Sequence, residues 1–245
     1  MSQKALFPMK YLNVTQGYGV GTHRGSFALD LAGKDSGVDN VMAPFDAVVR
    51  KVWNNGHTVW LESITKVLYA DGRVDFATMS FTHDNNIANV FVGMKLKRGQ
   101  VFYQEGTAGN ATGNHVHAEA ALGKFTGAGW HLNTYGYWTI NNPYPLHRLL
   151  WLSSTTIVKK SGNYAWKKVT NKPPVLAQVT GKLGAYVRTE ASTNSKIVKS
   201  IPYKYRFVFK KVVIGQRHRI GLKVTDKWIQ TGKNNFVSTL VARRK

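Results

Sequence analysis

Through its first 150 residues the chain runs in short apolar stretches broken by Gly, Asn, Asp or Pro about every ten residues, a rhythm that suits strands joined by turns and leaves little room for helix. The pattern predicts strands over 27–32 (FALDLA), 47–53 (AVVRKVW) and 58–64 (TVWLESI), a hairpin about Asp71-Gly72, and a further strand, VFYQEGT, after the break at 97–100. Residues 153–174 are polar and basic and close on Pro173-Pro174, which reads as a linker because proline favours extended backbone and cannot join a sheet interior. From about 175 the short strands resume (IVKSI, RFVFKKVVI, GLKVTDKWIQT), as expected of a small β-barrel. The expected fold class is all-β, in two domains of unequal size.

At 245 residues, with 43% hydrophobic and 12% aromatic side chains, the chain can bury a sizeable core. It has no cysteine. Disulfides, iron–sulfur clusters, thiol nucleophiles and Cys-ligated zinc are therefore excluded, and any metal must be held by His and carboxylate groups. Neither an apolar run of transmembrane length nor the apolar core of a signal peptide is expected from the sequence, so the chain reads as a protein made in soluble form. The net charge is +22, unevenly placed: residues 1–175 hold 18 basic and 10 acidic side chains, residues 176–245 hold 16 and 2. A charge of +14 on seventy residues points to a polyanionic partner without choosing among nucleic acid, lipid and wall polymer.

The residues suited to chemistry concentrate in GNHVHAEA, 113–120. On a strand His115, His117 and Glu119 share one face, while Val116, Ala118 and Ala120 take the other. Gly106, Gly109 and Gly113 punctuate the loop that delivers this strand, where the backbone must bend tightly. Asp30, in HRGSFALDLA, alternates with Phe27, Leu29 and Leu31 and needs a partner, which a divalent cation or a hydrogen-bonding neighbour can supply. His23 stands seven residues earlier, so a loop or bulge at Arg24-Gly25-Ser26 must intervene if both bind one ion. His83 ends a strand in MSFTHDNN, whereas His57, His131, His147 and His218 read as structural.

In order along the chain, VTQGYG, HRG followed by LD, MAPFDAVV, FTH, VGMKLKRGQVF and GTAGNATGNHVHAE resemble the lysostaphin-type (LytM-like) zinc metallopeptidases, which cut peptide bonds in bacterial peptidoglycan. The resemblance covers about residues 12–122 and implies an antiparallel β-sheet catalytic domain, placed at 1–152, with one Zn²⁺ in an open groove. It implies that His23, Asp30 and His117 are the zinc ligands, that His115 is a catalytic histidine beside the metal, and that His83 steadies the transition state by hydrogen-bonding the oxyanion. Glu119 falls to support of the ligands. The family usually has three residues between the first His and Asp where this chain has six, so Asp35 stands as an alternative ligand.

LGAYVRTEASTNSKIVKSIPY with KWIQTGKNNFVSTLV is similar to the bacterial SH3-type (SH3b) wall-binding domains, which implies a small SH3-like barrel at 175–245. Tyr186, Tyr203, Tyr205 and Trp228 are then either wall-contacting or core residues, with at least half of them, Trp228 included, expected in the core. The reading as a whole is a monomeric, bacteriophage-endolysin-like peptidoglycan hydrolase. Its partners are the wall peptidoglycan and anionic wall polymers, without nucleic acid or membrane insertion, and it is held in the host cytoplasm until a membrane pore releases it. A wall-binding protein that keeps the metallopeptidase fold without activity is the alternative. Loop 124–142, with Trp130, Tyr135, Tyr137 and Trp138, is expected to line the groove.

Overall fold

The computed structural model describes residues 2–169 and 176–244, in two compact units, Met1–Thr170 and Asn171–Lys245. Among the described residues helix is confined to one four-residue α-helix, Leu146–Leu149, and two 3-10 turns, Gly21–His23 and Asn54–Gly56. None is long and apolar enough to cross a membrane.

The first unit is organised by a nine-stranded sheet. Its strands are β1 (Tyr11–Gln16), β2 (Leu29–Ala32), β3 (Ala47–Trp53), β4 (Thr58–Ser63), β5 (Ala77–Thr82), β6 (Lys95–Leu96), β7 (Val116–Leu122), β8 (Pro143–Tyr144) and β9 (Ile157–Lys160). The order across the sheet is β6-β3-β4-β5-β7-β2-β1-β9, with β8 pairing the far end of β7. All pairings are antiparallel except β9 with β1. Alternation sends Leu12, Val14, Leu29, Leu31, Val59, Leu61, Met79, Phe81, Val116 and Ala118 into a common core, each at most 2% exposed. The opposite face of β2, β5 and β7 is left to polar residues, and the functional groups lie there.

Two expectations change. The strand predicted from Phe27 begins at Leu29; Phe27 is 41% exposed and packs edge-on against Tyr18 instead of entering the core. The stretch expected to be linker from 153 is structured through Val169. Strand β9 pairs with β1, Trp166 packs edge-on against Phe7 with ring centroids 5.5 Å apart, and the Tyr164 hydroxyl accepts the N–H of Tyr18. Polar composition hid a segment whose few aromatics do the anchoring. The Pro173-Pro174 part of that linker lies outside the described residues.

Glu105 ties together the end of β2 and the loop behind it: its two carboxylate oxygens accept the N–H groups of Gly33 (2.7 Å) and Asp39 (2.8 Å). Burial raises its pKa to about 7, against the hydrogen bonds that favour the ionised form. Because the folded value lies above the ordinary carboxylate range, the protonated group stabilises the fold fully below about pH 4.5, and that stabilisation is lost as pH rises through 7. Denaturant titrations from pH 4.5 to 7.5 should therefore show wild-type stability falling relative to Glu105→Gln, by about 3 kcal/mol at most. The change with pH is the readout, since the variant also loses an acceptor at every pH.

The second unit has two sheets. A three-stranded one takes β10 (Leu176–Val179), β13 (Arg206–Val208) and β17 (Ala242–Arg244) in the order β13-β10-β17. A five-stranded one takes β11 (Ala185–Arg188), β12 (Ile197–Ile201), β14 (Lys211–Ile220), β15 (Lys223–Gly232) and β16 (Asn235–Ser238) in the order β12-β11-β16-β15-β14. Ala177, Val179, Val187, Ile201, Ile229 and Val237 form its core. Trp228 is buried, as expected, but Tyr186, Tyr203 and Tyr205 are all about half exposed, so fewer of these aromatics enter the core than the sequence suggested. The RFVFKKVVI run is divided between β13 and β14.

Candidate metal centre

Strand register brings the first two groups together. His117 on β7 lies directly opposite Asp30 on β2, and Thr82 flanks His117 from β5. His23 arrives by the 3-10 turn before β2. The chain then reverses through Gly25, at φ 79°, where Ser26 N–H donates to the His23 carbonyl and Ser26 Oγ accepts Ala28 N–H. That turn absorbs the extra residues between His23 and Asp30. Asp35 is exposed and accepts Gly37 N–H within a turn of its own, outside the His23, Asp30 and His117 cluster.

His23 Nε2, His117 Nδ1 and Asp30 Oδ1 form a triangle with all three sides 3.1 Å. The other nitrogen of each ring is committed. His23 Nδ1–H donates to the Gly17 carbonyl at 3.0 Å, and His117 Nε2 faces Glu119 Oε1 at 3.5 Å. In their neutral forms both rings aim a lone pair at the centre, His23 through Nε2 and His117 through Nδ1, beside the Asp30 carboxylate. Three such atoms at this distance share a positive charge, either a proton, as the raised pKa of His117 allows, or a metal ion that replaces it. A zinc ion with ligand distances of about 2.0–2.2 Å fits a triangle of this size and leaves one face open, the donor set of a catalytic rather than a structural zinc.

The electrostatics show the same pull. Burial opposes ionisation of Asp30, but hydrogen bonds with His117 and His23 outweigh it and hold the carboxyl well below its ordinary range. For His117, burial disfavours the charged ring, yet the hydrogen bonds and charges of Asp30 and Glu119 raise its pKa to about 9. Glu119 is itself fixed on its other oxygen by Thr139 Oγ–H (2.6 Å) and Ile140 N–H (3.2 Å).

Two further histidines border the open face. His115 Nδ1–H donates to the Gly113 carbonyl at 2.8 Å, leaving a free Nε2 lone pair 3.6 Å from Asp30 Oδ1. His83 Nδ1–H donates to the Ala108 carbonyl at 2.7 Å, and its ring lies 4.6 Å from that of His115. Burial lowers the His83 pKa to about 4, so the neutral ring offers an acceptor at Nε2. The oxyanion-donor role expected for His83 requires the protonated ring, which this environment disfavours. His83 sits at φ 94°, a strained backbone for a non-glycine residue. Gly106 permits the close approach: a Cβ there would run into the His83 carbonyl and lie 2.7 Å from Asn85 N.

No protein-family model matches the chain. Morphogenesis protein 1 of Bacillus phage B103 is 34% identical over 152 residues, covering 57% of this chain and 40% of that protein, so the match spans well under two thirds of the relative's length. Among solved structures, the antimicrobial peptidase lysostaphin from Staphylococcus simulans is 14% identical, with 96% of this chain and 90% of that chain covered and a TM-score of 0.37. A zinc-containing peptidase from Vibrio cholerae is 21% identical, with 50% of this chain and 37% of that chain covered and a TM-score of 0.38.

Beside His117 the candidate metal centre opens into a cavity of about 340 Å³. Trp130, Tyr137 and Trp138 line it, as expected of loop 124–142, from the hairpin formed by Trp130–Leu132 and Trp138–Ile140. Tyr135 instead packs beneath the Arg24 guanidinium. Trp53 and Trp60, which the sequence reading did not single out, supply another wall from β3 and β4. Two tryptophans on adjacent hairpin strands were the available signal. His57, His131, His147 and His218 each bond to groups away from the triangle.

Proposed function

We propose that this chain is a zinc endopeptidase that cuts peptide bonds in bacterial peptidoglycan, with its second unit acting as an SH3-type wall-binding domain. The observation that carries the reading is the triangle of His23, Asp30 and His117, with the free Nε2 of His115 beside its open face. The ordered family motifs of the first unit direct that chemistry to wall peptides.

Zinc, when bound, acts as a Lewis acid that polarises the scissile carbonyl and makes water nucleophilic near neutral pH. His115 Nε2 accepts the proton of the attacking water and returns it to the leaving amine, the two-way task for which an imidazole is suited. His83, with its Nε2 lone pair, accepts a hydrogen bond and orients water or substrate against His115. Glu119 keeps the Nε2 proton on His117 and so reserves Nδ1 for the metal.

Purified Gram-positive cell walls incubated with the zinc-loaded protein should release fragments with new amino termini, identifiable by mass analysis, and chelator should stop their release. Walls that remain intact under zinc-replete conditions would refute the enzymatic reading in favour of a binding protein. The charge of +14 on residues 176–245 motivates tethering to the anionic wall. A chain ending at residue 170 should keep its cleavage of small soluble wall fragments within about twofold while whole-wall lysis falls tenfold or more. Equal loss on both substrates would instead place catalytic groups in the second unit.

The part-length likeness to a phage morphogenesis protein favours a phage source and admits a second setting, in which the same activity serves the phage particle instead of host lysis. Immunoblots of purified particles and of the free lysate separate the two. In the lysis setting, the protein waits in the host cytoplasm for a membrane pore.

A further inference from the structure

The cavity beside the metal centre has a composition that a peptide-cutting site does not itself require. Trp53, Trp60, Trp130 and Trp138 are clustered along it. The ring of Trp130 is 4.8 Å from those of Trp53 and Trp60 and 5.3 Å from that of Trp138. Trp60 is the buried floor, whereas Trp53 is 38% and Trp138 58% exposed, so two large aromatic faces stand open to a ligand. Exposed indoles on this scale mark a binding surface, because water is a poor neighbour for them.

The charges nearby are already engaged. Lys51 lies over the Trp60 and Trp130 rings and donates to the Ala128 carbonyl at 2.7 Å, and Glu119 is held by Thr139, Ile140 and His117. The lining includes no other Lys, Arg, Asp or Glu. Beyond His117, what remains is neutral. The side-chain amides of Asn55 and Asn110, both exposed, line the cavity without a hydrogen bond to the described residues. Flat apolar faces flanked by uncommitted neutral amides complement a pyranose ring, whose C–H face lies on an indole by dispersion while its hydroxyl and acetamido groups bond to the rim. Away from His117 and the metal site, charged peptide termini and side chains find no counterion in the lining.

We infer that the tryptophan cavity is a subsite for the N-acetylhexosamine units of the glycan strand, so that the metal centre cuts stem peptides near their sugar attachment. This rests on the peptidoglycan endopeptidase reading and specifies its substrate. Since His117 lines this cavity and is also a corner of the ligand triangle, the scissile bond lies within a few residues of the sugar, not in a distant cross-bridge.

Two measurements on the full, zinc-loaded chain test this. In the first, kcat/KM is compared for a disaccharide-bearing stem peptide and for the same peptide stripped of sugar, with wild type and Trp138→Ala. Wild type should prefer the sugar-bearing form by about tenfold or more, and the variant should reduce that ratio towards one. In the second, an N-acetylglucosamine tetramer is titrated while the indole N–H resonances are followed. Shifts confined to the cavity tryptophans, and lost from the pattern in Trp53→Ala and Trp138→Ala, support the subsite. Equal cleavage of both peptides by wild type, or no indole shift at millimolar sugar, overturns it and leaves the peptidase reading standing. Indole shifts in a zinc-loaded protein that cuts neither peptide support the sugar site and sink the peptidase reading.

Discussion

His117→Ala should abolish zinc binding and reduce wall cleavage by on the order of 10⁴-fold or more, since several kcal/mol of transition-state stabilisation go with the metal. The expectation follows from the triangle: removing one 3.1 Å corner leaves His23 and Asp30 alone, two ligands where a catalytic zinc needs three. The fold should survive, because His117 projects from the polar face of β7 while Val116 and Ala118 hold the core beneath it. Zinc content measured beside a circular dichroism melt separates loss of the metal from loss of the protein. A zinc-replete His117→Ala would overturn the ligand assignment.

His115→Ala should behave differently although only two residues away. Its Nε2 faces the open side of the centre, outside the ligand triangle, and its Nδ1–H bonds only to the local Gly113 carbonyl. The variant should keep about one zinc per chain and lose activity by about 10²- to 10⁴-fold, the range for a positioned acid–base group, with the loss falling on kcat. A metal-free His115→Ala beside a zinc-replete His117→Ala would exchange the two roles. Unchanged turnover in His115→Ala would remove this residue from proton transfer.

How much of this was legible in the sequence depends on the range of the interaction concerned. Period-two alternation placed His117 and Glu119 on one face of β7, with His115 just before its first residue on the same side, and the apolar alternation of Leu29 and Leu31 marked Asp30 as turned away from the core. Both are local properties of a strand. The meeting of His117 with Asp30 depends on the register of β7 against β2, set by distant core residues, and only the family resemblance supplied it in advance. The longer His23 to Asp30 spacing looked like an obstacle because a turn closed by Ser26 does not announce itself in the residue pattern. Tyr164 and Trp166 were hidden in a stretch whose average polarity suggested a linker, yet Tyr164 bonds to the backbone next to Gly17, whose carbonyl orients His23. The His83 tautomer was beyond sequence reasoning altogether, since it depends on which carbonyl the 106–110 loop presents to Nδ1.

Whether His23, Asp30 and His117 hold a zinc ion on which activity depends is decided by elemental analysis of the purified protein alongside wall lysis, before and after dialysis against a strong chelator. About one zinc per chain is expected, with metal and lysis lost together on dialysis and both recovered when zinc is added back. Undiminished lysis by protein shown to contain no zinc would contradict that dependence.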